Sequence, residues 1–163
     1  MAPDALRLHP IFSILVGLVC AGCTGPEPLI DAGVDGCVEA IEAEELMLTN
    51  AERAGAGVEQ LLCDSQLALA AELHSQDMCA NSYFSHTSLD NRTPGDRITA
   101  QGASFTTWGE NIAQGASTAS AVHSLWMSSA GHRSNILSRS FGRIGIGYVA
   151  CNGTHIWTQV FTN

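Results

Sequence analysis

The sequence contains no lysine; all seven of its basic residues are arginine. That excludes Schiff-base chemistry on a lysine amine and a phosphate loop built around one. Charged residues make up only 14% of the chain, and the seven arginines face sixteen acids for a net charge of -9. A nucleic-acid binder shows the opposite balance, so no nucleic-acid partner is expected. No HExxH sequence sets two histidines on one helical turn, and no GxSxG sequence presents a serine on a nucleophile elbow. No apolar run is long enough to span a bilayer: Ile11 to Gly22 covers twelve residues. What remains is a chain of 163 residues that is 45% apolar, enough to bury the core of one ordinary domain without help. The acids concentrate early, twelve against the single Arg53 over residues 24–77, whereas residues 78–163 carry three acids against five arginines.

The twelve-residue apolar run, preceded by Arg7, has the length of a signal-peptide core. It ends in Cys20-Ala21-Gly22-Cys23, which resembles a bacterial lipobox and makes Cys23 the candidate lipid anchor. Residues 1–22 therefore read as a lipoprotein-type signal peptide, and 23–40, rich in Pro, Gly and Asp, as a linker before a domain at 41–163. The expected location is extracytoplasmic, anchored to the cell envelope or secreted. Cys37, Cys63, Cys79 and Cys151 remain, an even number in an oxidising compartment, and read as two disulfides. A helix over 64–79 would hold its ends about 24 Å apart, so a Cys63–Cys79 pair is the least favoured of the pairings.

Residues 41–54 place Met47, Ala51 and Ala54 at helical spacing, and Gly55 and Gly57 end that helix. Asp64 caps a second helix whose stripe is Leu67, Ala71, His74 and Met78, which makes His74 a core histidine. Thr93-Pro94 opens a third helix that closes at Gly102. A fourth runs from Ser117 or Thr118 to Ser129, with Val122, Leu125, Trp126 and Ser129 on one side, His123 off that stripe and facing solvent, and Gly131 as the stop. Residues 103–117 read as loop or short strands. Residues 144–150 and 154–161 are β-branched and aromatic runs joined at Asn152-Gly153, a two-residue hairpin signal. Helices first and strands last predict an α+β fold with helices on an antiparallel sheet. Gly145 and Gly147 alternate with Ile144, Ile146 and Tyr148, so one strand face lacks side chains and a helix must approach it closely.

Three polar clusters fall at element boundaries: Phe84-Ser85-His86, Gly109-Glu110-Asn111, and Gly131-His132-Arg133 with Asn135 after it. Two imidazoles and a carboxylate suit a divalent metal, and equally suit acid-base work in which Glu110 sets a histidine tautomer. Asn111 reads as a turn residue, Arg133 as an ion-pair or anion-steering group, Trp126 and Trp157 as core, and Trp108 as a cleft-rim aromatic.

The ordered series LALAAELHSQDM, YFSHTS, RTPGDRI, GENIAQG, LWMSSAGHRSNIL, RIGIGYV and IWTQVF resembles the bacterial branch of the CAP superfamily, the cysteine-rich secretory, antigen 5 and pathogenesis-related proteins, whose unit is also called the SCP domain. The resemblance spans residues 41–161. It implies an α-β-α sandwich, with a central antiparallel sheet flanked by helices and a C-terminal β-hairpin. It also implies a cleft tetrad of two histidines and two acids, which falls here on His86, Glu110, His132 and, where many eukaryotic members carry a second glutamate, Ser129. In the family the two histidines can bind zinc or another divalent ion. The expected function is a binding module: His86 and His132 hold a metal, and the cleft takes a small lipid or cell-envelope glycan. The alternatives are a metal- or His/Glu-dependent hydrolase with Ser129 as nucleophile, and a structural envelope protein whose His/Glu cluster fixes helices on the sheet.

Overall fold

The computed structural model describes residues 39–163. The signal-peptide reading, the Cys23 anchor, Cys37 and the linker up to residue 38 fall outside the described residues. Helix α1 (Ala40–Gly55) starts one residue before the expected domain boundary, and a reciprocal capping box between Glu39 and Glu42 opens it. Its buried face is not the Met47, Ala51, Ala54 stripe. Met47 is 65% exposed, whereas Glu42, Glu45, Leu46, Thr49 and Arg53 are buried. The reason is that polar partners wait across the interface. Arg53 alone donates to the carbonyls of Glu59, Ile136, Ser138 and Phe141, tying α1 to the chain that follows the last helix.

After the two-residue strand β1 (Leu62–Cys63) comes helix α2 (Ser65–Ala80), capped by the Asp64 carboxylate, which accepts from the Gln66 and Leu67 amides. Leu67, Ala71, His74 and Met78 line its buried face as expected. Helix α3 (Pro94–Ala100) is opened by Thr93 and its capping box with Asp96. The stretch 103–117 contains a full strand, β2 (Trp108–Gln114). Helix α4 (Ala119–Ser128), capped by Thr118, is followed at once by α5 (Ala130–Ile136), then by the hairpin of β3 (Arg143–Cys151) and β4 (Thr154–Thr162). Asn152 and Gly153 turn the hairpin with φ of 48° and 78°.

Two expectations for the α4 region are corrected. The helix breaks at Ser129, whose backbone is extended, and Gly131 lies inside α5 instead of ending α4. Val122 and Trp126 are buried, but Leu125 is exposed and His123 is buried, because its imidazole meets the Glu45 carboxylate of α1.

The sheet order is β1-β3-β4-β2. β2 and β3 both pair antiparallel to β4, but β1 runs parallel to β3, so the sheet is mixed and not wholly antiparallel. Two residues are too few to show a strand period, and their partner lies some eighty residues on. On one face Ile144, Ile146, Trp157, Phe161 and Ala113 pack with α1, α4 and α5 through Leu46, Val122, Trp126 and Ile136. On the other, Val160, Ile112 and Ile156 pack with Leu67, Ala71 and Met78 of α2 and Ile98 of α3. This is the expected α-β-α sandwich. The bare face of β3 does receive a helix: a Cβ on Gly145 would stand 2.0 Å from the Leu67 carbonyl carbon, and one on Gly147 2.2 Å from the Glu72 nitrogen. Cys79 at the end of α2 is bonded to Cys151 at the end of β3, and Cys63 is disulfide-bonded as well. The two ends of α2 are therefore not bridged to each other.

Candidate functional site

β2 is an edge strand, and the site straddles it. Alternation aims Glu110 at the α2 and α3 side and Asn111 at the α5 side. Glu110 is buried, and its two oxygens are taken from different directions. Oε1 accepts from His86 Nδ1 at 2.8 Å, and Oε2 accepts from Arg97 Nη2 at 2.6 Å. The carboxylate is thus neutralised by a buried guanidinium while it fixes the ring of His86. Arg97 also donates to the His86 carbonyl, the Ser88 hydroxyl and the Arg92 carbonyl, and so shapes the loop that delivers the imidazole. His74 anchors the same loop from below, its Nε2 donating to the Ser85 carbonyl at 3.0 Å. Burial pushes the His74 pKa down, keeping that ring neutral.

The other imidazole arrives from the opposite helical layer. His132 lies in α5, half-buried, and its ring makes no hydrogen bond among the described residues. Burial first, and the neighbouring His86 second, hold its pKa below the ordinary histidine value. Asn111 is no turn residue: it is fully buried in mid-strand, where its amide donates to the His132 carbonyl at 3.2 Å. Asn135, one turn beyond His132, donates to the Glu110 carbonyl at 3.2 Å and to Asn111 Oδ1 at 2.8 Å. These bonds pin α5 to β2.

An open cleft of about 460 Å³ is lined by His86, Thr87, Thr93, Trp108, Glu110 and Asn135, among others; His132 lies outside that lining. Trp108 is 42% exposed at its rim, as expected of it, whereas Trp126 and Trp157 are wholly buried. Ser129 is half-buried at the break between α4 and α5, and its hydroxyl bonds no imidazole among the described residues. Arg133 is exposed and makes no ion pair among the described residues; its guanidinium reaches only the Met127 carbonyl, at 3.5 Å. Arg97 is the site residue that sequence reasoning missed. Its signal was chemical: a lone buried carboxylate needs a cation, and RTPGDRI supplies one on a capped helix.

The donor set fits a divalent ion in a particular way. With Nδ1 held by Glu110, His86 presents Nε2 as a bare acceptor, the arrangement in which a carboxylate orients a metal-binding imidazole. His132, whose pKa burial holds down, offers a second nitrogen from α5. Among the described residues no cluster of three or more His, Cys, Asp or Glu is placed to hold a metal, so they build no closed four-ligand structural site.

The profile of the cysteine-rich secretory protein family, CAP, matches residues 46–161. The protein YkwD of Bacillus subtilis is 44% identical over 124 residues, which is 76% of this chain and 48% of YkwD. The membrane protein YlbC of the same organism is 36% identical over 106 residues, 65% of this chain and 31% of YlbC. The chain thus spans half or less of these relatives. Among solved structures, an extracellular protein containing an SCP domain from Bacillus anthracis superposes with a TM-score of 0.70 at 36% identity, covering 74% of this chain and 39% of that one. An outer surface protein of Borrelia burgdorferi shares the fold with a TM-score of 0.69 at 21% identity, covering 77% of this chain and 96% of that one.

Proposed function

The chain belongs to the cysteine-rich secretory protein (CAP) family, and from that premise we propose that it is an extracytoplasmic binding module whose cleft holds a divalent ion, zinc or a similar metal, between His86 and His132. The observation that carries this reading is the Glu110 carboxylate bonded at once to His86 Nδ1 and to Arg97, which leaves His86 Nε2 without a bond among the described residues. A bound ion would supply Lewis acidity and open coordination positions for an oxygen of a ligand. Glu110 orients the ring of His86, Arg97 holds Glu110, and Asn111 and Asn135 tie α5, which bears His132, to the strand of Glu110. The ligand proposed is a small lipid or a cell-envelope glycan. The Thr87 hydroxyl and the Trp108 indole at the rim favour the glycan, since an aromatic surface beside a polar group suits a sugar's mixed surface. The extracellular and outer-surface relatives support an extracytoplasmic location, and the lipobox-like Cys23 supports attachment to the membrane by a lipid.

One observation favours a second reading. A carboxylate-oriented imidazole is also a general base, so a hydrolase using His86 would lose turnover in Glu110→Gln. Ser129 has no bonded base among the described residues and takes no part in that reading. The test of the first reading is a calorimetric zinc titration of the purified protein beside His86→Ala and His132→Ala. One-to-one binding lost in both variants, with melting temperatures little changed, is the expected result. A wild-type protein that takes up no divalent ion would overturn it.

A further inference from the structure

The sheet carries a buried polar chain behind the cleft. Gln159 of β4 and Asn111 of β2 are register partners, both wholly buried, on the face covered by α1, α4 and α5. Gln159 Nε2 donates to Glu45 Oε1 at 2.9 Å and to Thr49 Oγ1 at 3.0 Å. Its Oε1 accepts from Asn111 Nδ2 at 3.0 Å. Asn111 passes the chain on, donating to the His132 carbonyl and accepting from Asn135, which itself donates to the Glu110 carbonyl. An unbroken path therefore runs from Glu45 in α1, along one face of the sheet, to the helix that bears His132.

The path has a direction: Glu45 sets it at one end, and the His132 and Glu110 carbonyls, which can only accept, agree with it at the other. A side-chain amide is nearly symmetric in shape but not in polarity, so its neighbours decide which end faces where. Thr49 donates its hydroxyl hydrogen to Glu45 Oε1 at 2.9 Å, which turns its lone pairs toward Gln159. Gln159 thus meets two acceptors and must offer them its nitrogen. Its oxygen is then forced toward Asn111, whose nitrogen answers, leaving Asn111 Oδ1 for Asn135. Reversing the Gln159 amide would set its oxygen against Glu45 Oε1 and its nitrogen against Asn111 Nδ2. His123 Nδ1 adds a third donor to Glu45 Oε1 at 3.0 Å, consolidating the acceptor at the head of the chain. The cluster is poorly explained by stability alone. Glu45 Oε2 and His123 Nε2 are buried with no hydrogen-bond partner among the described residues, a cost that apolar side chains in their place would not incur.

We propose that Glu45 is a positioning residue of the cleft: as the acceptor at the head of the Gln159–Asn111 chain, it fixes the amide polarity that holds α5 and His132 against the strand bearing Glu110. The expected effect on ion binding rests on the two-histidine reading above; the effect on α5 does not.

The test compares Glu45→Leu, Glu45→Gln and Thr49→Val with wild type in the full-length protein, first without metal and then with zinc. Without metal, NMR follows the Asn111 and Asn135 side-chain amide resonances and amide exchange across 132–136. Glu45→Leu should shift those resonances and speed exchange in α5 about tenfold, with α2 unchanged. Zinc binding should weaken about tenfold, the lower end for loss of an outer-shell partner. Glu45→Gln, whose carbonyl oxygen can replace Oε1, should stay near wild type. Thr49→Val, nearly isosteric and so safe should Glu45→Leu fail to fold, should give the same shifts at smaller size. Unchanged Asn111 and Asn135 resonances and α5 exchange in Glu45→Leu, or in Thr49→Val if that variant is the one available, would overturn the proposal. Equal perturbation by Glu45→Gln and Glu45→Leu would also overturn it. If wild type binds no zinc, the ion reading falls while the metal-free arms still decide the role of Glu45.

Discussion

The Arg97 guanidinium and the Glu110 carboxylate meet at 2.6 Å with both side chains almost wholly removed from water. Removing one member of such a pair strands the other charge. Arg97→Met should therefore cost about 3–5 kcal/mol in urea unfolding. Arg97→Lys should not restore it, because one ammonium cannot serve Glu110 and three loop acceptors in the fork geometry of arginine. A loss below about 1 kcal/mol would mean that the pair does not hold the site.

The contact of α2 with β3 leaves no room for a side chain. Gly147→Ala would place a carbon 2.2 Å from the Glu72 backbone. The expected outcome is a loss of about 3 kcal/mol or more, or no folded protein, measured by denaturant midpoint. A variant of near wild-type stability would show that the helix stands farther from the sheet.

The Cys79–Cys151 bond closes a sequence separation of 72 residues. Replacing both cysteines by serine isolates this bridge from that of Cys63 and should lower stability by about 3–4 kcal/mol, chiefly by freeing the unfolded chain. Thermal melts of the double variant and wild type, both unreduced, make the comparison.

Acid should weaken the fold through His74. Burial lowers its folded-state pKa below 6.5. Its contribution is complete above about 6.5, the unfolded value, and is lost as pH falls through the depressed folded value, because the unfolded chain binds the proton first. His132 acts in the same sense. Glu42 and Glu45, raised by burial, act oppositely: their contribution is present below 4.5 and lost as pH rises through their folded values. The stability advantage of wild type over His74→Gln, which can still donate to Ser85, should therefore shrink between pH 7.5 and pH 5. An advantage that grows with acid would contradict a neutral, buried His74.

What the sequence made legible was local. Asp64, Thr93-Pro94 and Asn152-Gly153 act on their own neighbours, so a cap, a first turn and a hairpin could be assigned from a few residues. Gly145 and Gly147 announced a helix by the side chains they lack. His86, Glu110 and His132 came through a motif series, and the structure adds that His86 bonds Glu110 and that α5, which bears His132, is tied to the same strand β2. Glu45, Thr49 and His123 stayed hidden because a search for apolar stripes passes over a helix face that buries a carboxylate. The parallel partner of β1 was out of reach because two residues carry no period. Arg97 was overlooked because nothing in its own helix shows that Glu110 is waiting for it.

The most direct test is a nitrogen-resolved NMR spectrum of the histidine rings, taken before and after zinc. Glu110 and Arg97 together should lock His86 with its proton on Nδ1 and Nε2 bare, and zinc should then move the His86 Nε2 resonance and one nitrogen of His132 in a one-to-one titration. A His86 ring with its proton on Nε2, or a zinc titration that moves neither histidine, would contradict the account of this cleft as a two-histidine ion site.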